Sequence, residues 1–289
     1  MWYIDAPECL LCLLESRYSE LKKLNVKDPA IYMQLGRYVM ENAGRGRVAV
    51  FIESHVWLRR RLGIDDPHND EKASLESLAK DAIGNLLSNL GDDIVKYVEL
   101  AAAANSVDIP MRGYRFSTED LLARLNDEVR WLGITRDGLR EIIARAGSIG
   151  YVVDNAGEFQ FDKALIKRLA ELGKEVVVYA RSEPYEVDVT EEYVINELHG
   201  LSNAKVVGSG NAYSALVKRD LWSSLGSHDL LIMKGLDNFE TYLELKPRLG
   251  NALFLLRAKC PLIARLLGVP TNSPVIASRG YVDEIRINN

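Results

Sequence analysis

The stretch Gly150-Tyr151-Val152-Val153-Asp154-Asn155-Ala156-Gly157-Glu158 decides how this chain is read. An apolar run stops abruptly at an acid, an amide, a small pair and a second acid. Taking a neutral polar group out of water without a partner costs roughly 2–7 kcal/mol. A buried strand therefore carries such residues for a reason. At the C-terminal end of a strand in an open α/β sheet, that reason is often a ligand or a metal.

Downstream of this stretch, apolar strands alternate with helices. Asp162 to Leu172 reads as a helix, with Leu165, Ile166, Leu169 and Leu172 on one side and Gly173 closing it. Glu175 to Tyr179 is a valine-rich strand, and a helix is expected from about Thr190 to Leu198. Ala204 to Val207 is a strand, Ala212 to Leu225 largely a helix, and Leu230 to Met233 a strand. A helix from about Phe239, a strand Ala252 to Leu256 and a helix Pro261 to Leu267 complete the run. This alternation predicts parallel βαβ units covered on both faces.

Upstream of residue 147 the sequence reads as helices only. Asp28-Pro29 opens one, with proline in the first turn. Ser117-Thr118-Glu119-Asp120 opens another with a capping pattern, and Leu121, Leu122, Leu125, Val129 and Leu132 follow at helical spacing. Residues 48–62, 70–90 and 92–104 read the same way. The expected organisation is a helical domain over 1–146 and a Rossmann-like α/β/α domain with a mostly parallel sheet over 147–289.

The 289 residues are 47% hydrophobic and 27% charged, with a net charge of −5. That is enough for a large core or two domains and argues against a general nucleic-acid binder. An anionic substrate would need a local cation in such a protein. No apolar run approaches the ~20 residues that span a membrane. Asp5 and Glu8 near the start are unlike a signal peptide. The expectation is a soluble cytoplasmic protein, and three cysteines make a disulfide framework improbable.

Each strand of the second half ends in polar residues. The ends are Asp154-Asn155; Arg181-Ser182-Glu183-Pro184 leading to Asp188-Val189-Thr190; Gly208-Ser209-Gly210-Asn211; and Lys234-Gly235-Leu236-Asp237-Asn238-Phe239-Glu240. In a parallel sheet these ends lie on one edge, where ligands bind. Asp154, Asn155 and Asp188 offer only hard oxygen ligands, which suit Mg²⁺ or Mn²⁺. Adjacent strand residues point to opposite faces, so Asp154 and Asn155 can share an ion only if the backbone leaves the strand there. Ala156-Gly157 permits that turn. Lys234 supplies a point charge for an anion, and Gly235 lets the backbone approach closely. A metal with a lysine is a common way to hold a phosphoryl group.

At these residues the chain resembles the metal-dependent damage-control phosphatases, long catalogued as a domain of unknown function. The matching stretches are YVVDNAGE with FD after it, VDVT, LLIMKGLDNFE and LLRAKCPLIARLLGV. In the first half they are Cys9-Leu10-Leu11-Cys12, Asp66-Pro67 with Lys72, and Ala103-Ala104-Asn105-Ser106-Val107-Asp108. The similarity spans nearly the whole chain, and the cysteines match the branch with archaeal members. The resemblance implies a divalent ion (Mn, Mg, Co or Ni) held by Asp154, Asn155 and Asp188. It also implies hydrolysis of phosphate monoesters of small metabolites, such as sugar phosphates. Lys234 would lie near the phosphate, with Asn105, Asp108, Glu158, Asn238 and Glu240 lining the pocket. The attacking group stays open between an ion-activated water and Asp154. Two positions depart from the family pattern: Leu236-Asp237 after Lys-Gly, and Ala104 before Asn105.

Plainer readings stand beside these. Asp154-Asn155 could cap a helix beginning near Phe161, Asp188 could be an N-cap, and Lys234 a solvated lysine. Glu158 could be a first-turn acid, and Asn105 and Asp108 helix-end and turn residues. Cys9 and Cys12, with Cys260, could be inert thiols, a metal site or a redox pair. His55, His68, His199 and His228 show no ligand spacing and read as surface or core residues. Gly208-Ser209-Gly210 fails as a dinucleotide fingerprint, because Tyr213 stands at the third glycine. No Walker A sequence occurs, and the acid-x-acid signature of haloacid dehalogenase phosphatases is missing. An S-adenosylmethionine-dependent carboxyl methyltransferase is the enzyme alternative, because that activity has been attributed to a family member. Ala156-Gly157 is a poor glycine loop for it. A non-catalytic, metal-dependent metabolite binder is the third reading, favoured by Leu236-Asp237.

Overall fold

Aspartates and prolines open the first helices. Asp5 caps α1 (Ala6–Lys23), and Asp28, with Pro29 behind it, caps α2 (Pro29–Asn42). The computed structural model describes residues 3–106 and 118–286. Three further helices follow: α3 (Arg47–Leu62), α4 (Asn69–Leu90) and α5 (Ile94–Ala104). Helix α6 (Thr118–Leu125), strand β1 (Arg130–Leu132) and helix α7 (Arg136–Arg145) lead into the alternating half.

That half runs β2 (Ser148–Val152), α8 (Glu158–Glu171), β3 (Glu175–Ala180), α9 (Glu191–Glu197) and β4 (Ala204–Gly208). It continues with α10 (Trp222–Gly226), β5 (Leu230–Lys234), α11 (Gly235–Leu245), β6 (Ala252–Arg257), α12 (Pro261–Leu267), β7 (Pro274–Ser278) and α13 (Arg279–Asp283). The seven strands form one sheet in the order β1-β7-β6-β5-β2-β3-β4, parallel except for β6 against β7. The mostly parallel α/β/α architecture agrees with the alternation read from sequence.

Successive strand residues face opposite layers. Ile149, Tyr151, Val178 and Ile232 pack with α5, α7 and α8. Val152, Tyr179, Met233 and Phe254 pack on the other face with α11 and α12. Helices α1 to α3 bury a separate cluster around Leu13, Leu35 and Leu58.

Four local expectations need correction. The helix expected to run through Leu132 ends at Leu125. Its last turn closes on Asn126 and Asp127, and the buried Arg257 guanidinium holds the Asp127 carboxylate (2.6 Å) and the Arg124 carbonyl (2.9 Å). Residues 130–132 then pair with β7 instead of continuing the helix, so the first half is not all helical. Residues 212–225 are not one helix. Ser214 caps a 3-10 turn, Lys218 is extended, and only Trp222–Gly226 closes as an α-helix. Helices α8 and α11 start earlier than expected, directly at Glu158 and Gly235, and the antiparallel strand β7 was not anticipated.

Candidate active site

The chain runs from β2 outward to β3 and β4, then returns to the other side of β2 with β5 and β6. The crevice between the C-terminal ends of β2 and β5 is therefore the switch point, where ligands bind in such sheets. Asp154 leaves the end of β2, and Lys234-Gly235 the end of β5.

The backbone departs from the sheet after Val153. Its carbonyl at Asp154 accepts from Val189 N–H (3.0 Å), and Ala156 N–H donates to the Val187 carbonyl (2.8 Å), placing Asn155 opposite Asp188 in a short antiparallel bridge. Gly157, at φ 74°, then turns the chain into α8. Two segments more than thirty residues apart are thus laddered so that Asp154, Asn155 and Asp188 converge. The Asn155 amide NH₂ donates to Asp154 Oδ2 (2.9 Å) and Glu158 Oε2 (3.4 Å), which turns its carbonyl oxygen the other way. Asn105, at the end of α5, donates to the same two carboxylates (3.2 and 2.7 Å) and accepts from Arg257 N–H (2.8 Å).

Burial pushes the Asp154 carboxyl well above the usual range, and the Asp188 and Glu158 carboxylates push it further. Such crowding of desolvated acids is stable with a proton or a cation among them. Gly235 makes the crowding possible. A Cβ there would lie 1.8 Å from Asp154 Oδ2, and its φ is 75°.

Lys234 is fully buried beneath this layer. Its ammonium contacts Glu158 (2.5 Å), Asp162 (2.7 Å) and the Ala101 carbonyl (2.7 Å). Burial alone would lower its pKa; the Asp162 and Glu158 carboxylates outweigh that and raise it. Burial likewise lifts the Asp162 carboxyl to about 7, against the pull of Lys234.

Arg181 does for Asp188 what no sequence spacing announced. Its Nε donates to Asp188 (2.5 Å), Nη1 to the Ala212 carbonyl (2.6 Å) and Nη2 to Asp237 (2.6 Å), and its plane lies 4.4 Å from the Tyr185 ring centre. Asp237, half of the departure from the family pattern, is thereby engaged in fixing Asp188. Two lysines also act on the carboxylates: Lys259 on Asp154, and Lys72, paired with Asp66 at 2.8 Å, on Asp188.

Against known families, residues 6–275 match the model described as the damage-control phosphatase ARMT1-like domain. The chain belongs to the damage-control phosphatase ARMT1-like family. It is 32% identical over 235 residues to a damage-control phosphatase of Pyrococcus horikoshii, covering 78% of each chain. It is 24% identical over 278 residues to a damage-control phosphatase of Archaeoglobus fulgidus, covering 91% of this chain and 95% of that one. The crystal structure of a DUF89 family protein from P. horikoshii superposes with a TM-score of 0.77 at 28% identity, covering 93% and 96% of the two chains.

The remaining described residues of the expected site, Asn238 and Glu240, are engaged in contacts within the protein. Asn238 is buried one layer back. Its NH₂ donates to the Val153 and Lys234 carbonyls (3.1 and 2.8 Å), and its oxygen accepts from Ser214 (2.5 Å). Glu240 is buried against Arg47 (2.6 Å), where α3 meets α11, and burial lifts its carboxyl to about 7 despite that arginine. Asp108 lies outside the described residues. Cys9, Cys12 and Cys260 are free thiols, buried, exposed and half-buried in turn. Among the described residues, the group of side chains able to hold a metal through three ligand atoms in mutual reach is Glu20, His55 and His68. No helix there is long and apolar enough to cross a membrane.

Proposed function

We propose that this chain is a divalent-metal-dependent phosphatase that hydrolyses monoesters of small phosphorylated metabolites, with Asp154, Asn155 and Asp188 holding the ion. The observation that carries this reading is the antiparallel bridge that sets Asn155 opposite Asp188 at the switch point, beside the buried Asp154. The donor set is all hard oxygen, which fits Mg²⁺ or Mn²⁺, with Co²⁺ and Ni²⁺ as further candidates. When bound, such an ion supplies Lewis-acid polarisation of a phosphoryl oxygen.

The chain's own residues do the rest. Asn105 and Asn155 orient the Asp154 and Glu158 carboxylates. Lys234 offsets the charge of Glu158 and Asp162 and so lowers the cost of bringing an anion near them. Lys234, expected beside the phosphate, is fully buried on Glu158 and Asp162, so the phosphate role is assigned instead to Lys259, whose charge reaches Asp154. Arg181 fixes Asp188. Because Asp237 is engaged in that same linkage, the feature that favoured a non-catalytic binder has a role in the proposed metal centre. In this reading residues 1–146 shape the pocket, residues 147–289 hold metal and phosphate, and the protein works in the cytoplasm.

The test is hydrolysis of p-nitrophenyl phosphate by metal-stripped protein, with Mg²⁺, Mn²⁺, Co²⁺ and Ni²⁺ restored separately and Asp154→Ala alongside. Turnover that needs an ion and vanishes in the variant supports the proposal. A folded variant as active as its parent overturns it.

A further inference from the structure

Glu20 comes from α1, His55 from α3 and His68 from the residue preceding α4, and all three side chains are buried. His55 Nδ1 and His68 Nε2 lie 2.9 and 3.2 Å from the same oxygen, Glu20 Oε1, and the three ligand atoms are within 4.8 Å of one another. In a tetrahedral site with bonds of about 2.1 Å, ligand atoms stand about 3.4 Å apart. The two histidine-to-carboxylate spacings, 2.9 and 3.2 Å, are close to that.

Two details separate this cluster from an ordinary ion pair. His55 Nδ1, fully buried, makes no aligned hydrogen bond despite its 2.9 Å approach to Glu20. A ligand that points at a shared centre rather than at its neighbour has that geometry, whereas His68 Nε2 hydrogen-bonds Glu20 Oε1 directly (3.2 Å). Beyond the cluster, His68 Nδ1 meets the Glu71 carboxylate at 2.5 Å, and Arg17 holds the other Glu20 oxygen at 2.8 Å. A carboxylate behind a histidine, fixing its tautomer and ring plane, is the usual support of a metal-bound imidazole.

We propose that Glu20, His55 and His68 form a second metal site, distinct from the hard-oxygen centre at Asp154, for a borderline ion such as Zn²⁺. Two imidazoles and one carboxylate suit that ion and leave a fourth position open. The site pins three helices together. It also borders the segment that carries Asp188: Arg17 contacts the Glu186 carboxylate, and Glu186 N–H approaches His55 Nε2 at 3.3 Å. His55 Nε2 accepts from Glu186 N–H, and coordination through Nδ1 would place the His55 proton on Nε2, so entry of the ion breaks that hydrogen bond. Metal loading therefore adjusts Glu186, two residues before Asp188.

The experiment uses the full chain as Asp154→Ala, stripped of metal and titrated with Zn²⁺ in competition with a chromogenic chelator. This background keeps the outcome separate from the phosphatase reading, which the hydrolysis assay decides. The expected result is one Zn²⁺ per chain, with X-ray absorption showing two imidazole nitrogens at about 2.0–2.1 Å. Adding Glu71→Gln, which meets the cluster only at the far nitrogen of His68 and otherwise pairs with the exposed Lys23 (3.0 Å), weakens binding about 10–100-fold. Adding His68→Ala weakens it further. Should His68→Ala fail to fold, Glu71→Gln and the absorption spectrum carry the test. No Zn²⁺ uptake, uptake without imidazole scattering, or uptake unchanged by Glu71→Gln overturns the proposal.

Discussion

Replacing Gly235 by alanine adds one methyl group and strikes the centre of the site. The new Cβ would stand 1.8 Å from Asp154 Oδ2 and 2.3 Å from its Cγ, where ordinary contact begins at 3.4 Å. The carboxylate must retreat by about 1.5 Å, a displacement beyond what a well-packed site absorbs without loss. That retreat breaks its hydrogen bonds from Asn105 and Asn155. A misplacement of about 1 Å can cost on the order of 100-fold in rate. The variant should therefore lose at least about 100-fold in kcat/KM, or about 2.7 kcal/mol of transition-state stabilisation. Alanine at φ 75° also costs about 1–2 kcal/mol of stability, seen as a Tm lower by a few degrees. Steady-state kinetics at saturating Mn²⁺ and a thermal melt by circular dichroism give both numbers. A folded Gly235→Ala protein with kcat/KM within about threefold of its parent would refute the claim that Gly235 exists to seat Asp154.

Arg181→Lys keeps a charge but loses the fork that joins Asp188, Asp237 and the Ala212 carbonyl. Mn²⁺ affinity should fall about 10–100-fold by calorimetric titration, and an unchanged affinity would count against Arg181 as the support of Asp188. Lys259→Ala should raise KM by about tenfold or more with a smaller change in kcat, as loss of one charged phosphate contact predicts; equal KM values on several phosphate esters would remove Lys259 from the site. Glu240 has a folded pKa of about 7 against an ordinary 4.5, so the folded state holds its proton more tightly. Its contribution to stability is present below pH 4.5 and is lost as pH rises towards 7. The loss is at most about 3 kcal/mol. Urea unfolding at pH 5 and pH 7.5 should show this decline in the parent and a flatter profile in Glu240→Gln, and identical slopes would contradict it.

The sheet and the gathering of the candidate site's residues at its strand ends were legible for one reason. Polar residues at the end of an apolar strand stand out when burial is costly, and Asp154-Asn155 and Lys234-Gly235 do so, with Asp188 in the polar loop that follows β3. Sequence order placed them at neighbouring strand ends, and the β2–β5 switch point brings those ends together. Other features leave weaker traces. Strand β1 has three residues, and Val129 and Leu132 extend a helical period that Asn126 and Asp127 interrupt. Arg181 and Arg257 act through carbonyls and carboxylates that only the folded chain assembles, so their residue types alone signalled nothing. Asn238 and Glu240 match a motif, yet their polar groups are engaged in joining layers: Asn238 to the β2 and β5 ends, Glu240 to Arg47. His55 and His68 lie on different elements, and no spacing rule within a single helix could pair them.

An ion shared by Asp154, Asn155 and Asp188 is the core of the proposed chemistry. The most direct measurement is a crystal of the protein soaked in Mn²⁺ and recorded at the manganese absorption edge. An anomalous peak is expected within bonding distance of oxygens from all three residues, and none in Asp154→Ala crystals. A peak elsewhere in the chain with none at this crevice, or one that persists in the variant, would contradict it.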